Sequence, residues 1–310
     1  MKFPGEPSNF LLVLALSILQ VYFLTNHPYF LSNLVLAALT AATSMVLLYA
    51  AGEMFYENIV GMEKRFLHNP QGAVVILLSI ASVVDEIFLI GVATIEGLGS
   101  VGLGAIIGSN VFIAGVYVAY LVIKRKKHYA PRMDFAVIIT GTGLLILSGI
   151  LFGRIIMIIS VILLLAFAVF LLEFRNRVTV IAEVGVARRP QALLIILGLA
   201  GISLGAYNVV HATEAISGFL GISSFFASFI ILGAAASIPE DYLVWLALTK
   251  KREAVADGIV FQSTIYKEML LLPIASLLLV IYVGTDALVT LAVLFALTLM
   301  LAVMGKRNGD

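Results

Sequence analysis

The sequence contains no cysteine, and only 12% of its 310 residues are charged. A chain without cysteine forms no disulfide, no thiolate metal site and no cysteine nucleophile. Its 19 basic and 18 acidic residues give a net charge of +1, which argues against binding to nucleic acid, since that needs a strongly basic surface. A soluble domain carries about 25% charged residues, so this composition is not that of a soluble domain.

Apolar residues make up 62% of the sequence, and the mean hydropathy is +1.11. So much apolar surface cannot be hidden in one water-soluble core, which predicts a polytopic helical membrane protein. A transmembrane β-barrel is excluded, because its strands alternate apolar and polar residues over about ten positions, whereas the apolar runs here are longer and continuous.

Ten apolar runs predict an all-α fold with about ten transmembrane helices, since a helix needs about 20 residues to cross the hydrocarbon. The runs are residues 10–24, 30–54, 72–95, 101–123, 135–152, 155–172, 192–210, 224–248, 256–283 and 287–304. The second and seventh continue into amphipathic ends. We expect residues 1–29 to form an extra N-terminal transmembrane helix, because no small-residue cleavage site follows the first run.

The Lys and Arg residues predict the orientation of these helices. With the N-terminus in the cytoplasm, ten spans place 17 of the 19 basic residues on the cytoplasmic side, and the exceptions are Arg154 and Lys267. We therefore predict an integral multi-pass protein of the cell membrane with both termini in the cytoplasm. The basic run at 124–127 is expected to contact anionic membrane lipid.

Several ionisable residues lie inside the predicted spans, where a charge is costly and therefore suggests a function. Asp85 and Glu86 lie in the third span, Glu240 in the eighth and Lys267 in the ninth. An alternative interpretation is structural, in which the acids pair with Lys267 and hold the bundle together.

The acids recur at a fixed interval. A shift of 154 residues places Glu86 on Glu240 and, without a gap, also superposes Gly104 on Gly258 and Ser109 on Ser263. The copies lie five spans apart, so they enter the membrane from opposite sides, as in secondary transporters with a site at the midplane. The predicted repeats are residues 30–173, with motif helices at 72–123, and 191–310, with motif helices at 224–283. A cytoplasmic loop at 174–190 joins them.

The residues around these acids favour a hard cation. Pro239 is expected to kink the eighth span just before Glu240, which frees carbonyl oxygens near Ala235 and Ala236. These carbonyl oxygens, the two glutamate carboxylates and the hydroxyls of Ser109 and Ser263 would form an oxygen cage of the kind that suits Ca²⁺.

At these residues the sequence resembles the cation/calcium exchanger superfamily. The signature of that family is Gly-Thr-Ser-x-Pro-Glu in each half, followed by Gly-Asn-x-x-Gly-Ser-Asn-x-x-Asn/Asp. Here the first run reads Ala-Ser-Val-Val-Asp-Glu at 81–86 and Ala-Ala-Ser-Ile-Pro-Glu at 235–240, and the second run begins at Gly104 and Gly258. The resemblance covers roughly residues 50–120 and 200–275. It implies an inverted-repeat exchanger fold in which the N-terminal helix is extra, and we expect that helix to occupy the place of the last helix of the family.

The resemblance also implies roles for individual residues. The expected ligands of the transported metal ion are Glu86, Glu240, Ser109, Ser263, Ser237 and Ser82. The residues expected to couple or balance charge are Asp85, Lys267, Asn110 and Thr264. The sequence departs from the family where each second run closes, because the Asn/Asp of the signature is replaced by Ile113 and Lys267.

Lys267 bears most directly on the choice of ion. A protonated amine cannot coordinate a metal, so Lys267 is expected to pair with Glu240, Glu86 or Asp85, or to gain and lose protons during transport. An alternative is that it extends to water at the end of its span. We expect this residue to weaken a sodium site and to favour coupling to protons.

The sequence therefore predicts a secondary active transporter, not an enzyme, that exchanges a divalent cation for protons or Na⁺ by alternating access. Ca²⁺ is the expected ion, the long second and seventh spans are expected to move, and no cofactor is expected. Two alternatives remain open: a transport-inactive or regulatory homologue locked by Glu–Lys pairing, and an intramembrane hydrolase, although an HExxH motif is lacking. The sequence leaves the oligomeric state open.

Overall fold

The computed structural model of the chain describes residues 7–66, 83–124, 132–174, 192–249 and 253–304, and nearly all of them are helical. The helices are α1 (Pro7–Thr25), α2 (His27–Phe30), α3 (Leu34–Phe66), α4 (Val84–Ile95), α5 (Gly99–Lys124), α6 (Arg132–Phe152), α7 (Met157–Phe174), α8 (Ala192–Leu220), α9 (Ser224–Ser228), a first π-helix (Phe229–Gly233), α10 (Ala234–Thr249), α11 (Glu253–Tyr266), a second π-helix (Lys267–Leu271), α12 (Leu272–Leu278) and α13 (Thr285–Met304). Within these ranges no strand forms.

Five of the described helices are long and apolar enough to cross a membrane: Leu34–Phe55, Gly99–Lys124, Asp134–Phe152, Ala192–Leu220 and Thr285–Met304. The bent pair Ser224–Ile238 and Glu240–Thr249 gives a sixth span, and two further apolar helices are shorter. Much of the predicted third span lies outside the described residues, so the number of ten stays a prediction. The expected extension of the seventh span is confirmed, because α8 continues to Leu220.

The chain forms two compact units, and each of them draws on both predicted repeats. The first unit contains Met1–Val92 and Glu173–Ser223, and the second contains Ala93–Leu172 and Ser224–Asp310. This division follows contacts in space and not similarity in sequence. The repeat boundaries at 30–173 and 191–310 therefore stay predictions.

In the first unit, α8 packs against α3 along a row of glycines, Gly198, Gly201 and Gly205. A Cβ atom added to Gly201 would lie 2.8 Å from the Cβ atom of Ala51, and one added to Gly205 would lie 2.9 Å from Leu48 Cγ. Small residues let two membrane helices approach closely, which compensates for the weak hydrophobic driving force in lipid.

A buried polar network ties α1 to the same two helices. The Gln20 side chain is fully buried, and its Oε1 atom accepts hydrogen bonds from Ser44 Oγ and Asn208 Nδ2, both at 2.8 Å. The packing partners of α1 are therefore the helices that begin the two predicted repeats. The expectation that α1 takes the place of a last helix at the end of the second repeat stays a prediction.

In the second unit, α5 packs against the first π-helix and against α9 and α10. The contact depends on glycine, because a Cβ atom added to Gly108 would lie 2.6 Å from the carbonyl oxygen of Phe229 and 2.9 Å from Gly233 Cα. Motif helices from the two predicted repeats thus meet backbone to backbone.

Two loops of the second unit lie side by side. The backbone of Ile155 donates a hydrogen bond to Ile281, and that of Val283 donates to Gly153, with distances of 3.0 and 2.9 Å. The ten-span topology places both loops on one side of the membrane, as this contact requires. In the same unit, Tyr117 of α5 donates a hydrogen bond to Asp257 of α11.

The eighth span is bent as the sequence predicts. The axes of Ser224–Ile238 and Glu240–Thr249 differ by 43°, and the break falls at Pro239, which has no N–H to donate to the helix. The two π-helices were not predicted. Such insertions in α-helices are frequent at functional sites, and here one precedes the bend while the other begins at Lys267.

Candidate cation-binding site

Glu240 lies on α10 immediately after the bend and is buried, with 9% of its surface exposed. Its Oε2 atom accepts a hydrogen bond from Lys267 Nζ at 2.7 Å. Its Oε1 atom accepts a hydrogen bond from the hydroxyl of Ser263. Both oxygens of the carboxylate are therefore engaged by groups from the ninth span.

Lys267 is the first residue of the second π-helix, and its side chain is completely buried. Because its amine pairs with Glu240 inside the protein, the alternative in which Lys267 extends to water does not hold. A buried ion pair contributes little net stability, but removing one partner leaves an uncompensated charge and costs about 3–5 kcal/mol. Removal of either Glu240 or Lys267 alone is therefore expected to destabilise the protein.

The other predicted hydroxyls of the second unit are buried and hydrogen-bond to their own helices. The hydroxyls of Ser109, Ser237 and Thr264 donate to the carbonyl oxygens of Ile106, Ala234 and Val260, at 3.2, 3.0 and 2.9 Å respectively. A hydroxyl that donates in this way keeps its oxygen lone pairs. Among these residues and Ser263, the structure joins Ser263 alone to Glu240.

Asp241 follows Glu240 and is an acid that the site prediction leaves out. It is half-buried, and its carboxylate lies close to the Ser237 hydroxyl and within the electrostatic reach of Glu240 and Lys267. The sequence could have indicated Asp241 as a site residue, because a second acid beside Glu240 in an apolar span is as costly as the first.

The first-half acids belong to the first unit. Glu86 and Asp85 lie in the first turn of α4, and Glu86 is buried, with 4% of its surface exposed. Ser82 lies outside the described residues. A single ion shared by Glu86 and Glu240 therefore stays a prediction. Among the described residues no three His, Asp or Glu side chains cluster, so any ion held there must also use hydroxyl or carbonyl oxygens.

A second buried polar cluster surrounds Glu268, the residue after Lys267. The Glu268 side chain is 1% exposed, and its Oε2 atom accepts a hydrogen bond from Thr142 Oγ1 of α6 at 2.9 Å. Asn110 of α5 lies beside the same carboxyl group. Thr142 was missed by sequence reasoning, although its position between Gly141 and Gly143 in an apolar span sets it apart.

Comparison with known proteins identifies the family of the chain and several solved structures with a similar fold. A family model described as sodium/calcium exchanger protein matches residues 36–174 and 190–306. The structure is similar to that of the H⁺/Ca²⁺ exchanger CAX, with a TM-score of 0.69 and 14% identity over 96% of this chain and 83% of that chain. It is similar to YfkE, with a TM-score of 0.66 and 17% identity over 96% of this chain and 92% of that chain.

A third solved structure, that of the sodium-calcium exchanger NCX_Mj soaked with Na⁺ and Ca²⁺, has a TM-score of 0.55 and 20% identity over 88% of this chain and 91% of that chain. The comparison with curated proteins gives no match. Identities this low establish the fold alone. They confirm the predicted fold class, an all-α polytopic membrane protein with two inverted repeats.

Proposed function

Because the chain belongs to the sodium/calcium exchanger family, we propose that it is a secondary active transporter that exchanges a divalent cation, Ca²⁺ before others, for protons. The observation that carries this proposal is the buried pair of Glu240 and Lys267, whose charged atoms lie 2.7 Å apart. Because this is a family of exchangers, it supports transport and not the alternative of an intramembrane hydrolase. Na⁺ remains the alternative counter-ion.

The pair supports exchange through competition. Lys267 occupies Glu240 Oε2, so a cation that binds this oxygen must displace the ammonium group. A buried carboxylate that has lost both partners is unfavourable by several kcal/mol. The carrier therefore changes its accessibility with Glu240 bound to a cation or paired with Lys267, and not with Glu240 empty. Glu86 is expected to contribute the second carboxylate.

The choice of protons over Na⁺ rests on the position of Lys267. The resemblance places an oxygen ligand at this residue, whereas an ammonium group donates hydrogen bonds and repels a second cation. The corresponding residue of the first repeat is Ile113, which offers no ligand either. Two oxygen ligands of the family pattern are thus replaced, and fewer remain for additional sodium ions.

The test is uptake of Ca²⁺ into liposomes that contain the purified protein. An acidic interior is expected to drive more uptake than a sodium-loaded interior at the same pH on both sides. Faster uptake with the sodium gradient would contradict proton coupling, and no uptake with either gradient would contradict transport. Glu240→Gln serves as the inactive control, and Glu96→Gln, an exposed acid in the loop after α4, serves as the matched active control.

A transport-inactive homologue is the second candidate function, and the Glu240–Lys267 pair itself favours it. If this pair is permanent, no ion binds and no ion stabilises the protein. A ligand that binds only the folded protein raises its stability by about 2.7 kcal/mol at 100 times the Kd. We expect Ca²⁺ to raise the melting temperature more than Mg²⁺, Mn²⁺ or Na⁺. Equal melting temperatures in all four ions would favour the locked homologue.

We also propose that the protein lies in the cell membrane with both termini in the cytoplasm. Support comes from the basic residues, 17 of 19 of which fall on one side of the ten-span topology. Reporter fusions at the C-terminus and in the loop at Arg154 test this, because the two sites are expected to report opposite sides of the membrane.

A further inference from the structure

The buried carboxyl group of Glu268 is not used by the mechanism proposed above. It lies on the second π-helix directly after Lys267, whose amine is held by Glu240. Its Oε2 atom is hydrogen-bonded to the Thr142 hydroxyl, while its Oε1 atom has no hydrogen-bond partner among the described residues. An ionised carboxylate in such a position costs several kcal/mol, so the neutral acid is the form that this site favours.

The neighbours of Glu268 suit a group that changes between neutral and charged forms. The Asn110 side chain is completely buried and lies beside the carboxyl group. An amide can accept a hydrogen bond from a carboxylic acid through its oxygen or donate one to a carboxylate through its nitrogen. The Thr142 hydroxyl can donate its one proton to Oε2 of the carboxylate, or donate it to the Ile138 carbonyl oxygen and accept the proton of the neutral acid. The surroundings of Glu268 therefore accommodate both states without a new partner.

The helices that pack against Glu268 carry few other ionisable groups. The second π-helix packs against α5, α6, α11 and α12, whose titratable residues are Tyr117, Tyr120, Lys124, Arg132, Asp134, Glu253, Asp257 and Tyr266. Asp257 precedes Glu268 by about 16 Å of helix, and Asp134 precedes Thr142 by about 12 Å, at 1.5 Å per residue. Asp257 is bonded to Tyr117, and the Tyr266 ring packs on Phe167. The nearest base along the chain is Lys267, which directly precedes Glu268.

We propose that Glu268 is a proton-binding site, which holds a proton while Lys267 pairs with Glu240 and releases it when a divalent cation takes the place of Lys267. This inference rests on the proposed function. The O–H bond of Glu268 breaks, its electron pair stays on the carboxylate, and the proton leaves to water. The lysine keeps its own protons throughout.

The release of the proton compensates the displaced charge. When the cation binds Glu240, the Lys267 ammonium loses its counter-charge, and the long flexible lysine side chain turns toward its neighbour Glu268. Loss of a proton there supplies a new carboxylate partner. The cation brings two positive charges and the proton removes one, so less net charge is buried in the membrane than if the cation bound alone.

The experiment measures proton release and cation binding separately in the purified full chain. A pH-indicator dye in weakly buffered detergent solution reports protons, and equilibrium dialysis with radioactive Ca²⁺ reports binding. We expect about one proton per bound Ca²⁺ for the wild type and for Glu96→Gln, as a single titrating carboxyl requires. In Glu268→Gln, Ca²⁺ still binds, but proton release falls close to zero.

The outcomes separate the two proposals. Undiminished proton release from Glu268→Gln would overturn the assignment of the proton to Glu268 while leaving exchange intact. Absence of Ca²⁺ binding in the wild type would instead remove the proposed function and this inference with it.

Infrared difference spectroscopy on the wild type keeps the inference testable if Glu268→Gln does not fold. Addition of Ca²⁺ is expected to remove a carboxylic-acid C=O band, and Thr142→Val is expected to move that band to higher wavenumber because the acid loses its hydrogen-bond partner. A spectrum with no loss of a carboxylic-acid band, or a band unaffected by Thr142→Val, would contradict the proposal.

Discussion

Lys267 Nζ lies 2.7 Å from Glu240 Oε2, with the lysine side chain fully buried and that of the glutamate 11% exposed. The ammonium group stands where the family resemblance puts a ligand for the transported ion. Ser263 engages the other oxygen of the same carboxylate. In this state the carboxylate is satisfied by the protein alone.

Neutralising either signature glutamate is expected to abolish most transport. Glu240→Gln and Glu86→Gln each remove a charged oxygen ligand, and a lost interaction with a charged group of about 1.5–3 kcal/mol weakens binding by roughly ten-fold or more. Initial rates of Ca²⁺ uptake into liposomes check this, with Glu96→Gln as the control. Wild-type rates in both variants would refute a site that uses these acids.

Replacing Lys267 is expected to destabilise the protein in the absence of ions. Lys267→Met leaves Glu240 buried without a counter-charge, at a cost of about 3–5 kcal/mol. The double variant with Glu240→Gln removes that charge and is expected to recover most of the loss. Melting temperatures of the three proteins without added ions test this dependence.

The same variant also tests competition between Lys267 and the cation. Without the ammonium group, Ca²⁺ meets no competitor at Glu240, so the rise in melting temperature caused by Ca²⁺ is expected to be larger in Lys267→Met than in the wild type. An unchanged or smaller rise would mean that the amine does not compete with the ion.

The glycine contact of the second unit is expected to tolerate no side chain. In Gly108→Ala the new Cβ atom would lie 2.6 Å from the Phe229 carbonyl oxygen, and forced overpacking of this kind costs about 1–3 kcal/mol. Gly115 on the same helix has open space around it, so Gly115→Ala is expected to gain about 0.5–1 kcal/mol from helix propensity. Thermal unfolding in detergent compares the two, and equal effects would disprove the close approach.

The polar network of α1 is expected to contribute to stability. Gln20→Leu removes the side-chain oxygen to which Ser44 and Asn208 donate. Ser44 keeps the Thr40 carbonyl oxygen as an acceptor, but one N–H of the Asn208 amide loses its buried acceptor, which costs about 1–3 kcal/mol. Ile18, on the same helix, is 64% exposed, so Ile18→Leu serves as the control. If both variants have the melting temperature of the wild type, the network does not hold α1 in place.

The sequence predicted those features that depend on one residue and its immediate surroundings. Pro239 lacks an N–H wherever it is placed, so the bend before Glu240 could be predicted. The expectation that Lys267 pairs with an acid followed from the cost of a charge inside a long apolar run. The match of Glu86 with Glu240 at one interval indicated inverted repeats, because an odd number of predicted spans separates the two copies.

The features that the sequence did not predict depend on which helices pack together. Thr142 and Glu268 are 126 residues apart in the chain and meet only because α6 packs against the second π-helix. Gln20 and Asn208 are 188 residues apart, and they meet only because α1 packs against α8. The π-helices have no local signature, since their wider turns are stabilised by the surrounding packing.

The central claim is that a divalent cation takes the place of Lys267 at Glu240, and a structure of the protein in saturating Mn²⁺, located by its anomalous scattering, tests it most directly. We predict a metal peak within about 2.6 Å of the Glu240 carboxylate, as hard cations require, with Lys267 Nζ moved out of hydrogen-bond distance. An intact Glu240–Lys267 pair with no metal peak beside it, at a concentration that saturates binding, would contradict the account.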